Sequence, residues 1–148
     1  MMRFQHGFTV GETLLATALL AVSVNAALAH ISARIEQTRI ERAKDEITRI
    51  GVEIEAYRAR HHELPVSLID LDATVPLDPW GHPYEYVNFD ARGTVGQRTF
   101  EGLPVNSYYD LYSRGADGRT DVNLRSEMAR DDIVRARDGA YVGPASDF

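Results

Sequence analysis

The chain contains no cysteine among its 148 residues. No disulfide can therefore brace its fold, and no cysteine nucleophile is present. The formal net charge at pH 7 is −6, whereas nonspecific binding of nucleic acid requires an excess of lysine and arginine to contact phosphates. The composition thus argues against a nucleic-acid partner.

Motifs of catalysis are missing as well. The sequence has no G-x-S-x-G and no glycine-rich phosphate loop. The adjacent residues His61, His62 and Glu63 lack the H-E-x-x-H spacing of a helical zinc site. We therefore predict that the protein is not an enzyme.

An apolar run near the N-terminus is the most informative feature that is present. No residue from Thr13 to Ala29 is charged. At about 1.5 Å per helical residue the run is roughly 26 Å long, near the lower limit for a helix that spans a bilayer. Glu12 immediately precedes this run. A carboxylate there is costly in hydrocarbon, which indicates that it has a specific partner.

The string Gly7-Phe8-Thr9-Val10-Gly11-Glu12 resembles the processing motif of type IV pilins and type II secretion pseudopilins. In that family a prepilin peptidase cuts after the glycine and methylates the new N-terminus. The resemblance implies cleavage after Gly7, methylation of Phe8 and an assembly role for Glu12. The competing interpretation is an ordinary secretory signal with its cleavage site near Ala27–Ala29, in which Glu12 would interrupt the apolar stretch.

A helical pattern continues beyond the apolar run. Apolar residues recur at three- and four-residue steps, or multiples of them, on one face: Ile31, Ile35, Ala43, Ile47, Ile50, Ile54 and Tyr57. The pattern predicts one helix from about residue 9 to 60, the spine of a pilin. The predicted organisation is a leader (1–7), a transmembrane or filament-core helix (8–30) and a periplasmic head (31–148), in which an amphipathic helix (31–62) precedes loops and sheet (63–148).

A second resemblance lies in the loop region after the helix. The string Asp78-Pro79-Trp80-Gly81-His82-Pro83-Tyr84-Glu85-Tyr86 resembles the signature of the major pseudopilin of the type II secretion system. Its matching residues are Asp78, Pro79, Trp80, Gly81, Pro83 and Tyr84. Pro79 favours a turn, Gly81 can adopt a positive φ, and Trp80 offers a large apolar side chain to a core.

Alternating residues downstream predict a small antiparallel sheet. We expect a strand near residues 84–88, a hairpin turn at 90–93, a partner strand at 94–100 and a third strand at 108–113. The fold class is therefore α+β: a long N-terminal helical spine packed against this sheet, followed by a C-terminal loop.

The segment Ser113–Gly118 resembles the family's S-x-G-A-D-G loop, which binds calcium together with a later acidic segment. The counterpart of that segment is Arg130-Asp131-Asp132-Ile133. The resemblance implies calcium held by the carboxylates of Asp117, Asp131 and Asp132 and by the backbone carbonyls of Leu111 and Arg114. Calcium takes six to eight oxygen ligands and would stabilise a head without disulfides.

The loop departs from the family pattern, because Arg130 stands where the first aspartate of the acidic segment is expected. The alternative is that arginines, and not a metal, neutralise these aspartates.

These observations predict a structural subunit of the type II secretion pseudopilus, polymerising through its N-terminal helix to help export folded proteins. The implied partners are further copies of the chain, minor pseudopilins, the inner-membrane secretion platform and prepilin peptidase. The implied location is the inner membrane, spanned once, with the head in the periplasm. Two alternatives stay open: a type IV pilin for adhesion, motility or DNA uptake, and a secreted binding domain with an ordinary signal peptide.

Overall fold

A computed structural model of the chain describes residues 9–71, 75–93 and 95–148. Helix α1 (Val10–His61) is 52 residues long and confirms the helix predicted for about residues 9 to 60. Its last turn carries Arg58, Arg60 and His61, where cations suit the negative end of the helix dipole. The chain divides into two compact units between Gln37 and Thr38, and α1 contributes residues to both.

The unit formed by residues 38–148 contains the β-structure. A four-stranded antiparallel sheet has the order β1-β4-β5-β6, and β2 and β3 form a separate antiparallel pair. The strands are β1 (Glu85–Asn88), β2 (Thr99–Phe100), β3 (Leu103–Pro104), β4 (Tyr109–Ser113), β5 (Ile133–Ala136) and β6 (Tyr141–Pro144). A one-turn helix α2 (Phe89–Arg92) follows β1, and short 3₁₀ turns occupy Leu68–Asp70, Glu127–Ala129, Arg137–Gly139 and Ala145–Asp147.

The main core lies between the C-terminal part of α1 and the sheet. The apolar stripe of α1 supplies Ala43, Ile47, Ile50 and Ile54, which pack with buried side chains that include Tyr84, Tyr109, Leu111 and Ile133. The 3.6-residue period of α1 places these four side chains on one face, and burial of that face joins helix to sheet. The α+β prediction is confirmed.

The strand predicted at 108–113 is confirmed as β4, but the hairpin predicted before it is wrong. Strand β1 pairs with β4, with Tyr86 opposite Leu111, and not with the segment 94–100. Only Thr99–Phe100 of that segment forms a strand, and it pairs with β3. Thr94 lies outside the described residues.

A helical turn replaces the predicted hairpin turn at residues 90–93. The side chain of Asn88 accepts hydrogen bonds from the backbone amides of Asp90 and Ala91, at 2.8 and 3.3 Å. This N-cap favours α2 over a tight reversal. The chain therefore leaves the sheet after β1 and returns to it only at β4.

Candidate assembly helix and C-terminal loop

Glu12 lies in the first turn of α1, where it forms a capping box with Thr9. One Glu12 carboxylate oxygen accepts a hydrogen bond from the backbone amide of Thr9 at 2.8 Å, and the Thr9 hydroxyl accepts one from the Glu12 amide at 3.3 Å. The two residues thus satisfy amides that the helix itself leaves without partners. Sequence reasoning assigned Glu12 to assembly alone and missed this local role, although the spacing T-x-x-E signals it.

The side chains that follow Glu12 in the first half of α1, as far as residue 35, are solvent-exposed. None of the described residues from 9 to 37 is buried. The large apolar side chains of this segment are at least half exposed: Val10, Leu14, Leu15, Leu19, Leu20, Val22, Val24, Leu28, Ile31 and Ile35. By length and composition α1 includes a stretch that can cross a membrane. A continuous apolar surface of this kind requires a membrane or other protein chains to cover it.

Polar side chains within the apolar run bond to the backbone of their own helix. The hydroxyls of Thr13, Thr17 and Ser23 donate to the carbonyls of Val10, Leu14 and Leu19 at 2.8 to 2.9 Å. The Asn25 amide donates to the carbonyl of Ala21 at 2.7 Å. Because these groups need no water as a partner, they are compatible with hydrocarbon.

Gly7 and Phe8, the predicted processing and methylation residues, lie outside the described residues. Both assignments stay predictions of the sequence motif.

The signature loop is organised by the buried carboxylate of Asp78. Its Oδ1 accepts hydrogen bonds from the backbone amides of Trp80 at 3.0 Å and His82 at 2.8 Å. Its Oδ2 accepts one from the Ser113 hydroxyl at 2.5 Å. The Asp78 carboxylate therefore stabilises the turn that follows it and links this turn to the end of β4.

The other signature residues also shape this loop and attach it to the rest of the head. Gly81 has φ of 96°, the left-handed conformation expected for it, while Leu77 and Pro83 form an antiparallel bridge on either side of the turn. Trp80 packs partly buried against the main core. The Tyr84 hydroxyl donates to the Glu46 carboxylate at 2.6 Å, which links the loop to α1. The signature residues are thus structural.

Asp132, one of the three predicted calcium-ligating carboxylates, is fully buried. Its Oδ2 accepts hydrogen bonds from Arg98 Nη1 at 2.7 Å and from the Thr120 hydroxyl at 2.5 Å. Burial raises the pKa of Asp132 to about 6, although Arg98 and Thr120 act in the opposite direction. Arg98 thus favours the charged form of a carboxylate whose burial favours the neutral form.

Asp117 and Asp131 lie in a different environment. The backbone amide of Asp117 donates to Asp131 Oδ2 at 2.9 Å, and Asp117 Oδ1 accepts from the amide of Arg119 at 2.7 Å. Gly115 approaches the backbone of Asp131 so closely that an added Cβ would lie 2.2 Å from its carbonyl oxygen. The hydrogen bonds of Asp117 and Asp131 thus stabilise the loop where Gly115 contacts the backbone of Asp131.

The three predicted carboxylates accept hydrogen bonds from different groups. Asp117 and Asp131 lie together, whereas the bonded oxygen of Asp132 faces Arg98 and Thr120. Leu111 lies within β4 and Arg114 directly follows that strand, so the two predicted carbonyls lie where β4 leads into the loop. Across residues 9–71, 75–93 and 95–148, no three His, Cys, Asp or Glu side chains are grouped to hold a metal. Calcium stays a prediction of the resemblance.

Arg98 is the residue of this region that sequence reasoning missed. The hydrogen-bond partners of its side chain, Thr120, Asp121 and Asp132, follow it by 22, 23 and 34 positions in the chain. No local period connects residues so far apart. The one available signal was an arginine within a segment that was expected to form a strand.

Comparison with known proteins agrees with the sequence motifs. The chain is similar to the "Type II secretion system core protein G" of Pseudomonas aeruginosa, with 28% identity over an alignment that covers 79% of this chain and 87% of that protein. It is also similar to the protein of the same name from Vibrio cholerae, with 22% identity over 80% of this chain and 85% of that protein. No family model and no solved structure matches the chain significantly. The resemblance to the major pseudopilins is confirmed.

Proposed function

We propose that the chain is a subunit of a type II secretion pseudopilus, which assembles through the N-terminal part of α1. The similarity to two proteins named as core components of that system supports a structural role in secretion. The observation that carries the assembly step is the exposed apolar surface from Val10 to Ile35 with Glu12 at its start. No residue among the described residues 9–37 is buried, so this part of the chain does not cover its own apolar surface.

Two environments would cover this surface in turn. Before assembly it would lie in the inner membrane, spanned once, with the head (31–148) in the periplasm. In the filament the apolar helices of neighbouring copies would pack together, and the pseudopilus would help to export folded proteins. Minor pseudopilins and the inner-membrane platform are the further partners of this proposal.

Glu12 would have a specific partner in that bundle. Removal of residues 1–7 by prepilin peptidase creates an amine at Phe8, only four positions from Glu12. The Glu12 carboxylate of one copy would pair with the Phe8 amine of its neighbour, because a charge inside an apolar bundle requires compensation. The capping bonds with Thr9 use one carboxylate oxygen, so the other stays available.

Intact-mass analysis of the membrane-extracted protein, produced together with prepilin peptidase, tests the proposal. We expect loss of residues 1–7 and addition of one methyl group to Phe8. Gly7→Leu should block cleavage and leave an uncut precursor in the membrane, since the bulky residue obstructs the peptidase without altering the apolar run.

The alternatives give different results in the same experiment. Cleavage near Ala29 with release of a soluble protein would contradict the proposal and favour the secreted binding domain. A type IV pilin would be processed in the same way, so complementation decides between the filaments. The gene should restore protein secretion, and not twitching or DNA uptake, to a strain that lacks its own copy.

A further inference from the structure

Arg98 is held at the base of the C-terminal loop by its backbone. Its amide donates to Asp110 Oδ2 at 2.6 Å, and its carbonyl accepts from the amide of Val105 at 3.1 Å. The next residue, Thr99, donates to the carbonyl of Val122 at 2.8 Å and accepts from the amide of Leu124 at 2.9 Å. These hydrogen bonds fix the backbone position from which the Arg98 side chain extends.

The guanidinium of Arg98 reaches three oxygen atoms of the loop. Nη1 donates to Asp132 Oδ2 at 2.7 Å and to the carbonyl of Asp121 at 3.1 Å, while Nη2 donates to the Thr120 hydroxyl. On its flat face, Cζ lies 3.5 Å from the centre of the Tyr112 ring, which adds a cation–π interaction. Only 2% of the residue is exposed.

The Arg98 guanidinium has the same role in the loop as a bound structural cation. A carboxylate, a hydroxyl and a main-chain carbonyl converge on one positive charge from separate positions in the loop. The carboxylate and the carbonyl are oxygen types that calcium takes as ligands, but here planar N–H donors bind them. Asp132 is fully buried and its Oδ1 has no hydrogen-bond partner among the described residues, so the Arg98 guanidinium on Oδ2 is the positive charge that compensates this carboxylate.

The remaining predicted ligands do not require a metal either. Asp117 is exposed and Asp131 is partly exposed, so water stabilises their charge. Backbone amides of the loop already bond to both carboxylates.

We propose that Arg98 is the internal cation of the C-terminal loop and occupies the structural role that the family resemblance assigns to calcium. The loop then closes without the metal. The proposal concerns the stability of residues 38–148 and is independent of filament assembly.

Calcium titration of the full chain in detergent is the first test, with unfolding followed by the fluorescence of Trp80, the one tryptophan of the chain. We expect the same Tm in chelator and in millimolar calcium, because a ligand raises Tm only when it binds the native state. A rise of several degrees with calcium would overturn the proposal.

Substitution of Arg98 is the second test. Arg98→Met leaves the Asp132 carboxylate buried without a cation and should lower Tm by roughly 10 °C or more. Hydrogen exchange of residues 114–132 should become faster. The matched control is Arg119→Met, in the same loop, whose side chain is exposed and whose loss should leave Tm and exchange unchanged.

Two further variants keep the test decisive if Arg98→Met does not fold. Arg98→Lys keeps the charge but loses the planar fork, so we expect a Tm between those of the wild type and a fully destabilised variant. Adding Asp132→Asn to Arg98→Lys should lower Tm by less than the sum of the separate effects, since the two residues act as a pair. Additive effects, or a wild-type Tm in Arg98→Met, would show that Arg98 is not the cation of the loop.

Discussion

Glu12 combines two roles that depend on different properties of one side chain. Its bonds with Thr9 need a carbonyl oxygen at the right distance, which both Glu and Gln supply in a capping box. The proposed pairing with the Phe8 amine of a neighbouring copy needs a negative charge. Substitutions can therefore separate helix capping from assembly.

We expect Glu12→Gln to keep the helix start and to fail in assembly. Loss of the charge leaves the neighbour's amine buried without a partner, at a cost of about 3 to 5 kcal/mol per contact. Glu12→Ala should fail as well and should also lose the bond from the Thr9 amide to its carboxylate, whereas the bond from its own amide to the Thr9 hydroxyl remains. Filament yield by electron microscopy, with hydrogen exchange of the first turn, measures the two effects.

Processing provides the control for both variants. Each should still be cleaved after Gly7, because the cleavage site is intact. Normal filaments from Glu12→Gln would contradict the charge role and leave Glu12 with capping alone.

At the scale of elements, three tyrosines in the sheet or just before it bond to α1 or to the loop after α1. The Tyr84 and Tyr109 hydroxyls donate to Glu46 and Glu55 of α1 at 2.6 and 3.3 Å. The Tyr86 hydroxyl donates to the Pro65 carbonyl at 3.0 Å. Burial is the largest cause that raises the pKa of each hydroxyl, to about 12 for Tyr109 and still higher for Tyr84 and Tyr86.

This helix–sheet contact should weaken in alkali. In the unfolded chain tyrosine loses its proton near pH 10, whereas these residues stay protonated in the folded protein. Above pH 10 the folded state thus binds more protons than the unfolded state, and stability falls as pH rises. The part due to Tyr109 is present below about pH 10 and is lost by about pH 12.

Urea unfolding between pH 9 and pH 12 measures this dependence. Tyr86→Phe should reduce the fall in stability with pH, because Phe has no proton to lose. Tyr84→Phe should do the same and lose about 1.5 to 3 kcal/mol at neutral pH with the bond to Glu46. Tyr108→Phe is the control, since its side chain is about half exposed, and an unchanged slope in all three variants would contradict the argument.

At the scale of the whole molecule, the chain consists of two compact units with different surfaces. Residues 38–148 bury two apolar clusters, around Tyr109 and around Val134. None of the described residues from 9 to 37 is buried. Stability of the head and association of the chain with a membrane or a filament should therefore respond to different substitutions.

Leu19→Lys tests this separation. Leu19 is exposed in the middle of the apolar run, and a lysine at the centre of a membrane helix costs about 2.5 to 3.5 kcal/mol on insertion scales. We expect reduced membrane retention and no filaments, with an unchanged melting curve of Trp80 fluorescence. Leu19→Ile, which keeps the apolar surface, should behave like the wild type, and a lowered Tm in Leu19→Lys would mean that the two units depend on each other.

The sequence by itself determined the features that depend on neighbouring residues. The period of Ile47, Ile50 and Ile54 predicts the helix and its buried face, because a helix repeats every 3.6 residues whatever it packs against. The turn at Asp78–Pro83 and the strand β4 likewise follow from short patterns. The two motifs that carry the family resemblance are also contiguous strings.

The tertiary structure decided which distant segments meet. Strand β1 could pair with any exposed strand edge, since the backbone hydrogen bonds of a sheet do not depend on side-chain identity. Its pairing with β4 buries Tyr109 and Leu111 against α1. Arg98 and Asp132 became partners only because Thr99 of β2 forms a parallel bridge with the C-terminal loop, bonded to Val122 and Leu124. A buried charge pairs with whichever opposite charge the fold places next to it. No local pattern in the sequence predicts that pairing.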